Sequence, residues 1–163
     1  MNVIKKCIGM LLFMLGSQLA ADGQDHQMTA DSSHHMMNNA SLKWMDAPAG
    51  LPKGAKVAVL QGDPGKAGPF TIRIMFPANY EIKPHWHPTA ENVTVLQGSL
   101  YMGSGEMFNK DKATMLSSGG FTSMPARFAH YAFTRDGATI QLHGQGPFEI
   151  TYYKITDDPR KAQ

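Results

Sequence analysis

Cysteine is nearly absent from this chain. Its 163 residues include one, Cys7, placed ahead of the first apolar run. A disulfide framework is therefore excluded, and no thiol competes for a metal. Charge is sparse as well: 15 Lys and Arg stand against 13 Asp and Glu, a net +2. No basic stripe remains for a nucleic-acid backbone to follow, so no nucleic-acid partner is expected. The most apolar early stretch, Ile8 to Leu15, is far shorter than the roughly 20 residues of a bilayer-spanning helix. Long helical patterns are few, whereas 16 Gly and 10 Pro favour short strands joined by turns.

What the chain does have begins with a leader. Lys5 and Lys6 form a charged region, Ile8 to Leu15 an apolar one, and the small residues Ala20 and Ala21 follow. That order reads as a secretory signal over residues 1–21, cut near Ala20 to Gly23. A lipoprotein reading fails because Cys7 precedes the apolar region. Cleavage removes Lys5, Lys6 and Cys7, leaving a nearly neutral, thiol-free protein in the periplasm or outside the cell. Residues 22–40 are polar and short of aliphatic side chains, which predicts a disordered arm. His26, His34, His35, Met28, Met36 and Met37 give that arm Cu- or Ni-binding side chains, although composition alone makes it a solvated linker. Residues 41–158 carry the single domain, long enough for one packed core.

From Lys56 the sequence alternates and breaks at turn residues. Val57 to Leu60 reads as a strand stopped by Gly62-Asp63-Pro64-Gly65. Phe70, Ile72, Ile74 and Phe76 alternate with Thr71, Arg73 and Met75. Further strands are predicted at 92–96, 99–102, 113–116, 120–123, 128–135, 138–143 and 148–155. Many short strands at regular spacing indicate an all-β sandwich or barrel.

One run stands out: Pro84-His85-Trp86-His87-Pro-Thr-Ala-Glu91, ending at Gly98. His-x-His on an extended segment aims two imidazoles to the same side and Trp86 to the other. Glu91 follows closely, and a fourth candidate, His130, lies in Pro125-Ala-Arg-Phe-Ala-His130. Three imidazoles and a carboxylate suit Zn, Fe, Mn, Ni or Cu better than Ca or Mg.

The spacing His-x-His, three residues, Glu, six residues, Gly resembles the first cupin motif without a gap. Gly119, Pro125 and His130 match the second, whose usual Gly and Asn are here Arg127 and Thr134. The resemblance covers roughly residues 55 to 155. It implies a single cupin jelly-roll β-barrel (a double-stranded β-helix), with one divalent transition metal held by His85, His87, Glu91 and His130. With no internal repeat, a two-cupin chain is excluded. A homodimer is a further implication, since cupins commonly pair through sheet edges and faces. The wording Glu91-Asn-Val-Thr-Val-Leu-Gln-Gly98 is also similar to secreted single-domain cupins of the ChrR-type sensor branch.

Two hairpins can be registered from sequence. A turn at Asp136-Gly137 sets His130 opposite His143, and the two then share the inner face with Ala132, Thr134, Thr139 and Gln141. Tyr131, Phe133, Ile140 and Leu142 fall on the outer face, where another sheet, strand or subunit must cover them. A turn at Gln97-Gly98 pairs Val95 with Leu100 and Val93 with Met102, an apolar floor below the metal. Arg73 is inward or exposed with equal claim. The functional expectation is metal-dependent, dioxygenase-type chemistry on a small organic molecule, with Glu91 leaving the metal to act as base and His143 contacting substrate or a metal-bound water, serving as a fifth ligand, or simply packed in the interior. Isomerase and lyase chemistry stay open, as does a non-catalytic zinc-binding sensor or small-ligand module.

Overall fold

The computed structural model describes residues 34–161. The leader at 1–21 and most of the arm lie outside the described residues; His34 to Asn38 are irregular and exposed. Ten strands follow: β1 (Met45–Asp46), β2 (Lys56–Gln61), β3 (Gly68–Phe76), β4 (Glu81–Trp86), β5 (Glu91–Ser104), β6 (Thr114–Ser117), β7 (Phe121–Met124), β8 (His130–Phe133), β9 (Ala138–Gly146) and β10 (Thr151–Tyr152). Among the described residues the only helices are three 3-10 turns.

All pairing is antiparallel and runs β1-β2-β3-β9-β5-β8-β4-β10, with β6 and β7 also on β5. β5 joins two sheets. Its first half lies between β9 and β7, its second half between β6 and β8. Gly98 takes φ +71° at the junction, where a Cβ would meet the Gly137 carbonyl oxygen at 2.3 Å. The register shifts by one residue between Val95 and Gln97. Such a bulge moves the inward face from odd to even positions. Val93 and Val95 before it, and Leu100 after it, are therefore all buried in one core. The expected hairpin at Gln97-Gly98 is thus a bend inside one long strand. The apolar floor it was meant to build is present for a different reason.

β3 keeps its predicted alternation. Phe70, Ile72, Ile74 and Phe76 enter the core between the sheets, while Arg73 faces outward and bonds Gln141 and Asn39. Each such buried side chain contributes about 1.5–3 kcal/mol. The outer face of β8 is covered from within the chain. Tyr131 lies against Gly103, and its hydroxyl donates to Asn109 O at 2.6 Å. Phe133 stacks on Tyr101 with ring centroids 4.7 Å apart, and Phe108 packs on Tyr131 and Phe133. Ile140 and Leu142 face the core. The single outer apolar face expected for these four residues, to be covered by a sheet, a strand or a subunit, is therefore divided: the chain itself covers Tyr131 and Phe133, and Ile140 and Leu142 lie in the core.

The Asp136-Gly137 hairpin does not form either. β8 pairs with β4 and β5, β9 with β3 and β5, and the segment between them crosses from one sheet to the other. Buried Thr134 anchors the crossing: its hydroxyl donates to Pro77 O at 2.7 Å, and Asn79 N–H donates to Arg135 O at 3.0 Å. His143 consequently pairs with Thr71 and Asn92, not His130. Its parity is opposite to that of Ile140 and Leu142, and it is exposed. Thr139 and Gln141 share that outward parity and are likewise outside the core.

The loop at 48–55 covers one end of the core. Tyr80 and Tyr152 reach it from below, their hydroxyls donating to Pro52 O and Gly50 O at 2.5 and 2.8 Å. Burial pushes both phenol pKa values up, so the hydroxyls stay protonated donors.

Candidate metal centre

The centre is built from three strands. His85 and Ile82 both face inward although three positions separate them, an odd offset that plain alternation forbids. A register shift between Ile82 and His85 supplies the change, and Pro84, which has no N–H to offer the ladder, sits inside it. His85 then lies directly across from His130, at the start of β8. His87 follows just beyond β4, and Glu91 opens β5. The rings of His85 and His130 are 4.2 Å apart, those of His85 and His87 5.0 Å. One donor atom from each of His85, His87 and His130 falls within 4.8 Å of the others, so the three could hold a metal ion.

The back of each ring is fixed. His85 Nδ1 lies 2.7 Å from Lys83 O, His87 Nδ1 2.7 Å from Glu149 O, and His130 Nδ1 2.9 Å from Phe128 O. A carbonyl only accepts, so each Nδ1 carries the proton and donates it. In the neutral ring, Nε2 is then an unprotonated lone pair turned into the site. This is the outer support that ligating histidines generally receive.

Glu91 completes the corner. Its Oε2 is 3.1 Å from His130 Nε2 and 3.5 Å from His87 Nε2. An imidazole lone pair and a carboxylate at such distances need a proton or a cation between them. His87 Nε2 and Glu91 Oε2 are buried without any hydrogen-bond partner. Leaving such atoms unpaired is costly, and a bound cation removes the cost. The donor set of nitrogen and one carboxylate oxygen fits a first-row divalent ion. The residues present thus fit such an ion, and of those expected from the sequence the three histidines form a cluster that could hold it.

Electrostatics agree. Burial pushes the His85 pKa down to about 3, and repulsion from His130 and His87 acts in the same direction. Burial likewise lowers His87, against the pull of Glu91. Burial raises the Glu91 pKa, but the imidazoles of His130, His87 and His85 outweigh it and hold the carboxyl below its usual range. A neutral His85 beside an ionised Glu91 is the combination of protonation states a metal requires.

Above the corner lies a cavity of about 450 Å³. Val93, Leu100 and Met102 line it with Ile72, Ile74 and Leu142, and Pro48, Gly50 and Leu51 of the covering loop close one side. Phe148 stacks on His87 at 4.2 Å and 15°. Sequence reasoning missed Phe148 and the covering loop, because neither has a motif and both are placed by long-range contacts. His143 is not among the lining residues, so its expected substrate contact is overturned by the pairing of β9 with β3 and β5.

The departures from the second cupin motif are absorbed locally. Arg127 adopts φ +63°, the left-handed conformation that glycine takes without strain. Its N–H donates to His87 O at 2.8 Å, and its guanidinium lies 5.1 Å from the Trp86 ring centroid. Trp86 thus faces away from the site, as its parity requires.

No curated protein matches the sequence. Among solved structures, the polyketide cyclase RemF from Streptomyces resistomycificus aligns with TM-score 0.66 at 14% identity, over 78% of this chain and 90% of its own. A candidate acetylacetone dioxygenase from Methylibium petroleiphilum PM1 aligns with TM-score 0.58 at 17% identity, over 86% of each chain. An RmlC-like cupin from Ralstonia eutropha JMP134 gives TM-score 0.57 at 18% identity, covering 77% of this chain and 78% of that one. The shared architecture is the cupin β-barrel, as the sequence resemblance implied. The model of the family DUF4437, a domain of unknown function, matches residues 13–151, and the chain belongs to that family.

Proposed function

We propose that this protein is an exported cupin that binds one divalent transition metal through His85, His87, Glu91 and His130 and carries out dioxygenase-type oxidation of a small organic molecule. The observation that carries the proposal is the pair of orphaned atoms, His87 Nε2 and Glu91 Oε2, at the base of a cavity lined mainly by hydrocarbon. When bound, the ion supplies Lewis acidity and, if redox-active, electrons for oxygen chemistry. The chain supplies the rest. Three carbonyls orient the imidazoles, and the apolar wall excludes water and so strengthens charge interactions at the corner. Glu91, once it left the ion, would be the proton acceptor: of the other carboxylates lining the cavity, Asp63 is tied to Lys66 and Gly65, and Glu149 is exposed.

Elemental analysis of protein recovered from the exported fraction tests the reading. One Fe, Mn, Ni or Cu per chain is expected, with oxygen consumption on turnover. The double variant His85→Ala/His87→Ala loses that metal. Full occupancy in the double variant refutes the site; one tightly held zinc without turnover refutes the oxidative chemistry. Export rests on the order of the leader, and intact mass tests it: a mature chain beginning near Ala21 to Gln24 supports it, whereas a chain retaining Met1 refutes it. Among the described residues no helix is long and apolar enough to cross a membrane.

A further inference from the structure

The cavity is one-sided in its chemistry. Its base holds His85, His87, Glu91 and His130; most of the wall beyond is aliphatic, with the Phe148 ring beside His87. No lysine or arginine lines it among the described residues. The two remaining ionisable groups, Asp63 and Glu149, are exposed and acidic. Its volume, about 450 Å³, lies within the range of small-molecule sites.

Charge balance then selects the ligand. A divalent ion with one carboxylate and three neutral imidazoles leaves a net charge of about +1 in surroundings that solvate charge poorly. A ligand bringing one negative charge cancels it. A dianion overshoots and finds no cation in the wall to meet the excess. A polyol leaves hydroxyls facing hydrocarbon without partners, which is costly. Resting on the metal-site reading above, we infer that the protein takes an amphiphilic ligand with one monoanionic oxygen head (an enolate, phenolate or monocarboxylate) and an uncharged hydrocarbon or aromatic body. The head meets the ion at the base. The body lies along the aliphatic wall and the Phe148 ring.

Two probes share a chelate geometry and differ in the properties at issue. Benzoylacetone and malonate each present two oxygens across one central carbon. Benzoylacetone binds as a monoanion with a phenyl body; malonate is a dianion without one. Calorimetric titration of the zinc-loaded full chain should give benzoylacetone at least about tenfold the affinity of malonate. Stripping the zinc should weaken benzoylacetone by at least about tenfold as well. Malonate binding as tightly or more tightly overturns the inference, as does failure of benzoylacetone to bind the loaded chain. Benzoylacetone affinity that is unchanged by stripping overturns the placement of its head at the metal. A chain that takes up no zinc overturns the metal-site reading itself and the inference with it.

Discussion

Acidifying the metal-free protein should destabilise it through the imidazoles of the site. His85 has an ordinary value of 6.5 and a folded value of about 3, because folding buries it beside His130 and His87. Its folded pKa is depressed, so the unfolded chain binds the proton first. The stability that the neutral ring contributes is complete above about pH 6.5 and is lost progressively as pH falls toward 3. At pH 5.5 the unfolded ring is protonated in about ten molecules of eleven and the folded ring in almost none. The difference amounts to about 1.4 kcal/mol. His87 is lowered for the same leading reason and adds to the loss with the same sign. With a urea dependence of about 1–3 kcal/mol/M, the midpoint of the stripped protein should fall by at least about 0.5–1.4 M between pH 7.5 and 5.5. His85→Asn should remove most of the His85 share. A midpoint that does not fall, or a His85→Asn variant with the wild-type pH response, refutes the burial of neutral, convergent rings on which the metal site depends.

His143→Gln should leave metal content and ligand affinity unchanged, because the side chain lies outside the barrel; loss of either by elemental analysis or calorimetry contradicts the register of β9. At position 127 two effects oppose: relief of left-handed strain and loss of the contact with Trp86, each about 1 kcal/mol. Arg127→Gly should therefore be nearly neutral in urea unfolding, whereas Arg127→Ala, which loses the contact and keeps the strain, should be less stable by about 1 kcal/mol. Gly98→Ala would drive a Cβ to 2.3 Å from Gly137 O at the bend of β5 and should cost more than about 2 kcal/mol by the same assay; a wild-type midpoint removes the bend as a requirement.

The buried cluster of His85, His87 and His130 was legible in sequence because its information is local. His85 and His87 share a face by alternation, and His130 and Glu91 sit at motif distances that fix them to strand ends. The strands were legible for the same reason: Phe70, Ile72, Ile74 and Phe76 repeat with period two, and that period survives into the core. The register of neighbouring strands was not legible, since register is settled by which sheet a strand joins. Asp136-Gly137 has the composition of a tight hairpin turn, yet local turn preference is worth less than burying Ile140 and Leu142 beside Val95 and Val93. Once β9 pairs with the first half of β5, its odd residues must point outward, and His143 goes with them.

Two irregularities show how much of the site rests on such tertiary choices. Strict alternation cannot place Ile82 and His85 on one face, nor Val95 and Leu100. Each pair is reconciled by one extra residue, at Lys83-Pro84 and at Leu96, where the register shifts. The first bulge does more than restore parity. It places the Lys83 carbonyl within 2.7 Å of His85 Nδ1 and so fixes the tautomer that aims Nε2 at the site. Proline at position 84 removes a ladder donor where the ladder is broken, so residue type and irregularity agree. The second bulge lets one strand serve both sheets, carrying Glu91 at one end and Met102 on the other half, both against the same cavity. A residue chosen for backbone geometry thus determines which atoms face the cavity, and the chemistry of the corner follows from where alternation fails.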